Sequence, residues 1–328
     1  MAFLKKINSK AEAVINSGFG TSNSSYGGRF VNKDGMPNVE KKGLSFLERT
    51  SWFHTLLQMS VTRFFIIILL FYILINLLFA FIYLAIGVEH LGGMYATTLL
   101  EKFGEAYFFS AQTFTTVGYG RINPTGFITS AVAALEALVG LLSFAIATGL
   151  LYGRFSKPQA FLRFSKNALL APYKDGLAIM LRVVPFKNIN LTDAEAKLSV
   201  VLLLEENGKV ANKFFLLDLE YTQVNSLTLS WTIVHPITEN SPFYKFSMGD
   251  FKNISGEILV FVKAFDDMFS NTVVARSSYT LNEIVLGAKF NPMYYRSEDS
   301  HKTILDISKL NSYDEIDISK YLSINEEG

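Results

Sequence analysis

The stretch TTVGYG, Thr115 to Gly120, has the residue types that could strip an ion of its water. A dehydrated potassium ion needs a cage of oxygens, and backbone carbonyls can supply one; TVGYG is the sequence by which potassium filters are known. An extended strand of L-residues turns successive carbonyls to opposite sides. Pointing those of Thr116, Val117, Gly118 and Tyr119 one way needs residues that tolerate unusual dihedrals, as Gly118 and Gly120 do. Thr116 adds a hydroxyl at the inner end, while Val117 and Tyr119 can pack behind the strand and hold its diameter. One strand cannot surround an ion. Four around an axis can, so the motif predicts a homotetramer with K+ as the permeant ion and no organic cofactor.

The flanking elements have the lengths this arrangement needs. Residues 64–86 form an apolar run with Asn76 as its only clearly polar member, and residues 127–152 form a second with Glu136 as its only charge. At about 1.5 Å per helical residue each spans a hydrocarbon core of ~30 Å. Between them, EKFGEAYFFSAQTF is apolar enough to enter a membrane and too short to cross it, which predicts a re-entrant pore helix over about 102–113. That helix would aim its negative C-terminal end at the ion. Lys41, Lys42, Arg49 and Arg63 precede the first span, and Arg154, Lys157, Arg163, Lys166 and Lys174 follow the second. Only Lys102 and Arg121 lie between, so both termini are expected in the cytoplasm. SWFHTLLQMS, 51–60, reads as a short interfacial helix or as an extension of the first span.

The rest of the chain narrows the function classes. The net charge of +1 over 328 residues implies no strongly charged partner, nucleic acid included. Zero cysteines exclude a disulfide framework, a thiolate metal site and a cysteine nucleophile. Residues 17–28 are rich in Gly, Ser and Asn and read as a flexible segment. After Pro158, GLAIMLRVVPF, KLSVVLLLEE, FFLLDLE, SLTLSWTIVHP, GEILVFVKAFDD and TVVARSSYTL are short and rich in β-branched and aromatic residues, with turn formers such as Asn207-Gly208 between them. They predict an antiparallel sandwich.

Several of these stretches together resemble the inward-rectifier potassium channels, most of all their prokaryotic KirBac type. GRFVNKDGMPNV (28–39), FFSAQTFTTVGYG, LEALVGLLSFAIATGLLYGRFSKP (135–158), WTIVHPITENSPF and VVARSSY carry the resemblance, which runs from about 29 to 311. It implies an α+β membrane protein: a two-helix potassium pore with a re-entrant pore helix and filter, plus a cytoplasmic immunoglobulin-like β-sandwich, in a homotetramer. The expected domains are an N-terminal cytoplasmic segment at 1–47 with one strand near 29–39, an interfacial slide helix at 48–60, the pore domain at 61–157 and the regulatory sandwich at 158–328. The resemblance further implies a passive channel in the cell (inner) membrane, with no enzymatic activity.

Residue by residue, the resemblance assigns further roles. Glu136, Gly140, Phe144, Thr148 and Tyr152 recur in steps of four, and in the family that face lines the conduction path. Glu136 falls where the family has a polar residue behind the filter; it either raises the cation potential or bonds structurally to the pore helix. Tyr152 matches a hydrophobic gate at the inner bundle crossing, the alternative being a lipid-facing interfacial tyrosine. Phe144 stands where strongly rectifying members carry an acid, which implies weak rectification. Arg63, Arg154 and Lys157 match positions that contact lipid phosphates, so anionic lipid or a phosphoinositide is an expected partner. Arg121 stands where many bacterial members carry an acid, and is expected to make the outer mouth less attractive to cations.

Overall fold

The computed structural model describes residues 11, 29–45, 51–206, 209–297, 301–319 and 321. The flexible segment expected at 17–28, the turn at Asn207-Gly208 and the first residues of the slide helix lie outside them. Two compact units emerge: one helical, from Lys42 to Lys157, and one β-rich, which combines the N-terminal segment with everything from Pro158.

In the helical unit, α1 (Trp52–Gln58) and α2 (Val61–Ile86) are separate helices. Met59 and Ser60 are extended, with ψ of 162° and 149°, and break the helix between them. Residues 51–60 are therefore no simple extension of the first span. α2 covers 26 residues and α4 (Phe127–Phe155) 29, or about 39 and 44 Å of helix, and both are apolar enough to cross a membrane. Their apolar side chains, among them Phe65, Leu69, Leu74, Leu138 and Leu142, are largely exposed, as lipid-facing residues are.

Between them lies α3 (Leu99–Phe114), three residues longer at its start than the apolar pattern suggested. Its start is explained by a capping box. Glu101 N–H donates to the Thr98 hydroxyl (3.3 Å) and Thr98 N–H to the Glu101 carboxylate (3.1 Å), which satisfies amides that no helix turn can serve. Phe79, Ala80 and Tyr83 of α2, Ala106 and Phe109 of α3 and Ala133 of α4 make the core. Two short strands, β1 (Leu91–Gly92) and β2 (Asn123–Pro124), pair antiparallel beside it.

The β-rich unit is a sandwich of two five-stranded sheets. One runs β11 (Asn271–Thr280), β10 (Gly256–Asp266), β6 (Leu191–Glu206) and β7 (Lys209–Leu217), with β8 (Gln223–Ser226) also on β6. The other runs β12 (Ile284–Leu286), β4 (Ala168–Tyr173), β5 (Gly176–Pro185) and β3 (Leu162–Phe164), with β9 (Trp231–Pro236) also on β5. Their inner faces, including Ile258, Val260 and Val262 of β10 and Ile179, Leu181 and Val183 of β5, share one core. All pairings within these two sheets are antiparallel except that of β12 with β4. β5 is apolar almost throughout because both its faces are covered. On its outer side Val184 packs with Met293 and Leu310, and Met180 lies against Phe290 and Ala288.

Two expectations need correction. SLTLSWTIVHP is not one strand: β8 ends at Ser226 on one sheet and β9 begins at Trp231 on the other. The chain changes sheets there, which apolar content alone does not reveal. The strand expected near 29–39 is instead a tight turn closed by one bridge, Val31 to Pro37, with Asn32 N–H donating to Met36 O (2.9 Å). It docks by donating Phe30 and Val31 N–H to the fully buried carboxylate of Glu257 (2.6 and 3.2 Å). Arg29 and Lys33 both reach the carboxylate of Glu283.

His235 on β9 closes a second buried polar link. Its Nδ1–H donates to Asp218 O (2.6 Å), and its Nε2 accepts from the Ser241 hydroxyl (2.8 Å). Burial pushes the imidazole below its usual range. The unfolded chain therefore takes up this proton first, so the stability His235 contributes is present above pH ~6.5 and is lost as pH falls through the folded value. Denaturant unfolding of the full chain in detergent should show this acid-side loss setting in as pH falls below about 6.5. His235→Gln should be less stable at neutral pH and lack that part of the slope.

Candidate pore site

The loop that follows α3 departs from helix without entering a sheet. Thr116 N–H donates to Thr113 O (3.0 Å), and the amides of Val117 and Gly118 both reach Gln112 O (2.9 and 3.3 Å). The first residues of the motif thus hang on the last carbonyls of α3, which the helix leaves free. Thr116, Gly118 and Gly120 have φ of 59°, 53° and 83°, whereas Val117 and Tyr119 do not enter the left-handed region. Alternate left-handed residues undo the alternation of an ordinary strand, so that successive carbonyls are no longer thrown to opposite sides. Glycine was the visible signal at two of these positions. Thr116 was not, because a threonine at positive φ is held there only by its surroundings. Val117 and Tyr119 are 54% and 80% exposed in the single chain.

Glu136 is wholly buried where three helices meet. Tyr83 Oη on α2 donates to its carboxyl group at 2.6 Å, and the Ser110 hydroxyl of α3 is hydrogen-bonded to it as well. That hydroxyl also lies 2.9 Å from Asn76 Oδ1, and Asn76 Nδ2 donates to Tyr72 O (2.6 Å). The two polar interruptions noted in the spans are thus parts of one network that clamps the pore helix between them. Of the two readings of Glu136, the structural bond is the one the geometry supports.

The row of residues in steps of four divides in two. At Gly140 a Cβ would lie 2.0 Å from Phe114 O, so α4 meets the end of α3 there with room only for hydrogen. Phe144, Thr148 and Tyr152, below it, are exposed in the single chain. The boundary cations also differ. Arg63 and Lys157 are exposed, whereas the Arg154 guanidinium donates to Leu56 O (3.2 Å) and Met59 O and lies over the Phe64 ring (5.4 Å). Arg154 therefore holds the free C-terminal carbonyls of α1, where a cation also suits the helix dipole.

Arg121 does not stand as an unbalanced charge. Its Nη1 pairs with Glu105 Oε1 at 2.9 Å and donates to Gly93 O at 3.2 Å, and the guanidinium lies 5.5 Å from the Tyr95 ring centroid. The expectation that Arg121 lowers the cation potential at the mouth omitted this neighbouring acid. Sixteen residues separate the two, and no helical or strand spacing connects them.

The inward rectifier potassium channel C-terminal domain matches residues 162–327, and an ion channel model matches residues 67–157. Inward rectifier potassium channel Kirbac3.1 of Paramagnetospirillum magnetotacticum is 32% identical over 286 residues, 86% of this chain and 94% of that one. ATP-sensitive inward rectifier potassium channel 12 of Mus musculus and of Homo sapiens are each 26% identical over 297 residues, covering 84% of this chain and 69% and 68% of theirs. The chain therefore belongs to the inward rectifier potassium channel family, as a membrane channel for K+ and not an enzyme.

Proposed function

We propose that four copies of this chain surround one pore and that residues 116–120 of each form its selectivity filter. The observation that carries the reading is the alternation of left-handed φ at Thr116, Gly118 and Gly120, directly after a helix whose C-terminal end would favour a cation. Carbonyls gathered on one side of four such strands replace the hydration shell of K+. The exposure of Val117 and Tyr119 in one chain supports packing against neighbouring copies.

Phe144, Thr148 and Tyr152 then line the path on the inner side, with Tyr152 as a constriction that gates by dewetting. With a phenyl ring at Phe144, internal magnesium and polyamines find no carboxylate there, and rectification is weak. Both termini lie in the cytoplasm of a cell whose inner membrane holds the pore domain, residues 61–157, and the sandwich from 158 onward regulates it. α1 lies in the interface. Anionic lipid, a phosphoinositide included, binds near Arg63 and Lys157, at about 1 kcal/mol per basic residue. Arg154 contributes less to lipid, since carbonyls of α1 already engage it.

The deciding measurement is K+-driven flux into liposomes containing the purified protein, with Na+ as competitor and Ba2+ as blocker. Uptake supported by K+, not by Na+, and stopped by Ba2+ is expected. Gly118→Ala should abolish it, since a Cβ at φ 53° strains the strand; unaltered function in that variant would favour a membrane-tethered binding module instead. Tyr152→Ala should raise flux in lipid mixtures where the wild type is silent. In patch recordings, Phe144→Asp should bring block by internal polyamines that the wild type lacks, and strong block of the wild type itself would refute weak rectification.

A further inference from the structure

The hydrogen bonds around Glu136 can be counted proton by proton. Asn76 comes first, because a side-chain amide can be turned either way. Its Nδ2 lies 2.6 Å from Tyr72 O, an atom that only accepts, so the amide oxygen is the end that faces Ser110 Oγ, 2.9 Å away. On its other side Ser110 Oγ is hydrogen-bonded to Glu136 Oε1. Tyr83 Oη lies 2.6 Å from Glu136 Oε2 and has no other acceptor among the described residues, so its proton goes there. Two contacts therefore run in a row, from Asn76 Oδ1 to Ser110 Oγ and from Ser110 Oγ to Glu136 Oε1, and each needs a proton between its oxygens. The serine has one to give and the amide oxygen has none. The second comes from the carboxyl group.

The surroundings agree with that count. Asn76, Tyr83, Ser110 and Glu136 are all wholly buried, so no solvent fills a missing bond. Among the described residues no basic side chain pairs with Glu136. The one basic residue on each of α2, α3 and α4 is Arg63, Lys102 and Arg154. They stand about 30, 12 and 27 Å along their helices from Tyr83, Ser110 and Glu136. A carboxylate at this junction would be both unpaired and short of a donor, which is a costly state for a group inside a membrane.

We infer that Glu136 is held as a neutral carboxylic acid and positions the pore helix as a hydrogen-bond donor, adding no charge to the ion path. The chain of bonds then has one direction. Glu136 Oε1–H donates to Ser110 Oγ, Ser110 Oγ–H to Asn76 Oδ1 and Asn76 Nδ2–H to Tyr72 O, while Tyr83 Oη–H closes on Glu136 Oε2. Each contact holds one proton, and α4, α3 and α2 are joined in a fixed order. Because Ser110 stands four residues before the end of α3, what Glu136 holds in place is the part of the helix from which residues 116–118 hang.

An infrared spectrum separates acid from charge. For the full chain in liposomes at neutral pH, the difference between wild type and Glu136→Gln should contain the carbonyl stretch of a neutral carboxylic acid. Carboxylate bands in its place would overturn the inference. Tyr83→Phe takes the donor from the acid's carbonyl oxygen and should move the same stretch to higher frequency, which identifies the group even if the glutamine variant does not fold; an unmoved stretch counts against the assignment. Flux gives the second readout. Glu136→Ala and Ser110→Ala both break the chain of bonds and should lower the ratio of K+ to Na+ flux about three- to tenfold. Glu136→Gln, whose amide can donate to Ser110 and accept from Tyr83, should recover most of that loss. A glutamine variant no better than the alanine one would show that the charge matters and would overturn the donor role. The infrared result decides the inference even if the wild type fails to discriminate Na+, an outcome that would defeat the filter reading alone.

Discussion

A backbone segment that leaves its helix within a membrane has no water to satisfy its amides and carbonyls. That constraint shapes the helical unit. The loop after α3 depends on Gln112 O and Thr113 O for its first amides, and therefore on where the end of α3 is held. Gly140 lets α4 come against Phe114 at that end, and a methyl group there would push the two apart. The capping box at Thr98 and Glu101 secures the other end of the same helix.

What holds α3 from the side is polar. Tyr83, Ser110, Asn76 and Glu136 come from three different helices and are buried together. Side chains of this kind are costly in an apolar surrounding unless paired, and once paired they fix one arrangement of the helices that apolar packing alone would leave free to slide. The aromatic contact of Tyr83 with Phe109, at 5.1 Å between centroids, adds shape to the same junction. α1 is organised by a related economy: Arg154 of α4 occupies carbonyls that the short helix cannot serve itself.

The β-rich unit solves the problem of buried polar groups in the same way. Glu257 is fully buried on a central strand and is matched by two amides of the N-terminal turn. His235 is matched by a carbonyl and a hydroxyl. The turn at residues 29–38 is thereby part of the sandwich, although about 120 residues of chain separate it from the first strand.

Much of this was legible in one dimension. Two apolar runs of spanning length, a shorter one between them and TTVGYG after it specify the order of the helical unit, because a bilayer sets the lengths. Five of the six strand stretches read after Pro158 overlap a single observed strand, since β-branched residues at half-buried positions carry their own period. The split at Ser226, the turn at 29–39, the left-handed Thr116 and the link from Arg121 to Glu105 were not legible. Each depends on the contacts that folding makes around those residues and not on composition or period. The sequence by itself determined which elements form and what ion chemistry the loop can offer, because length, period and residue type act locally. Only the tertiary structure decided that Glu136 clamps a helix and that Arg121 is paired, because a charge takes its role from the neighbour that folding brings to it.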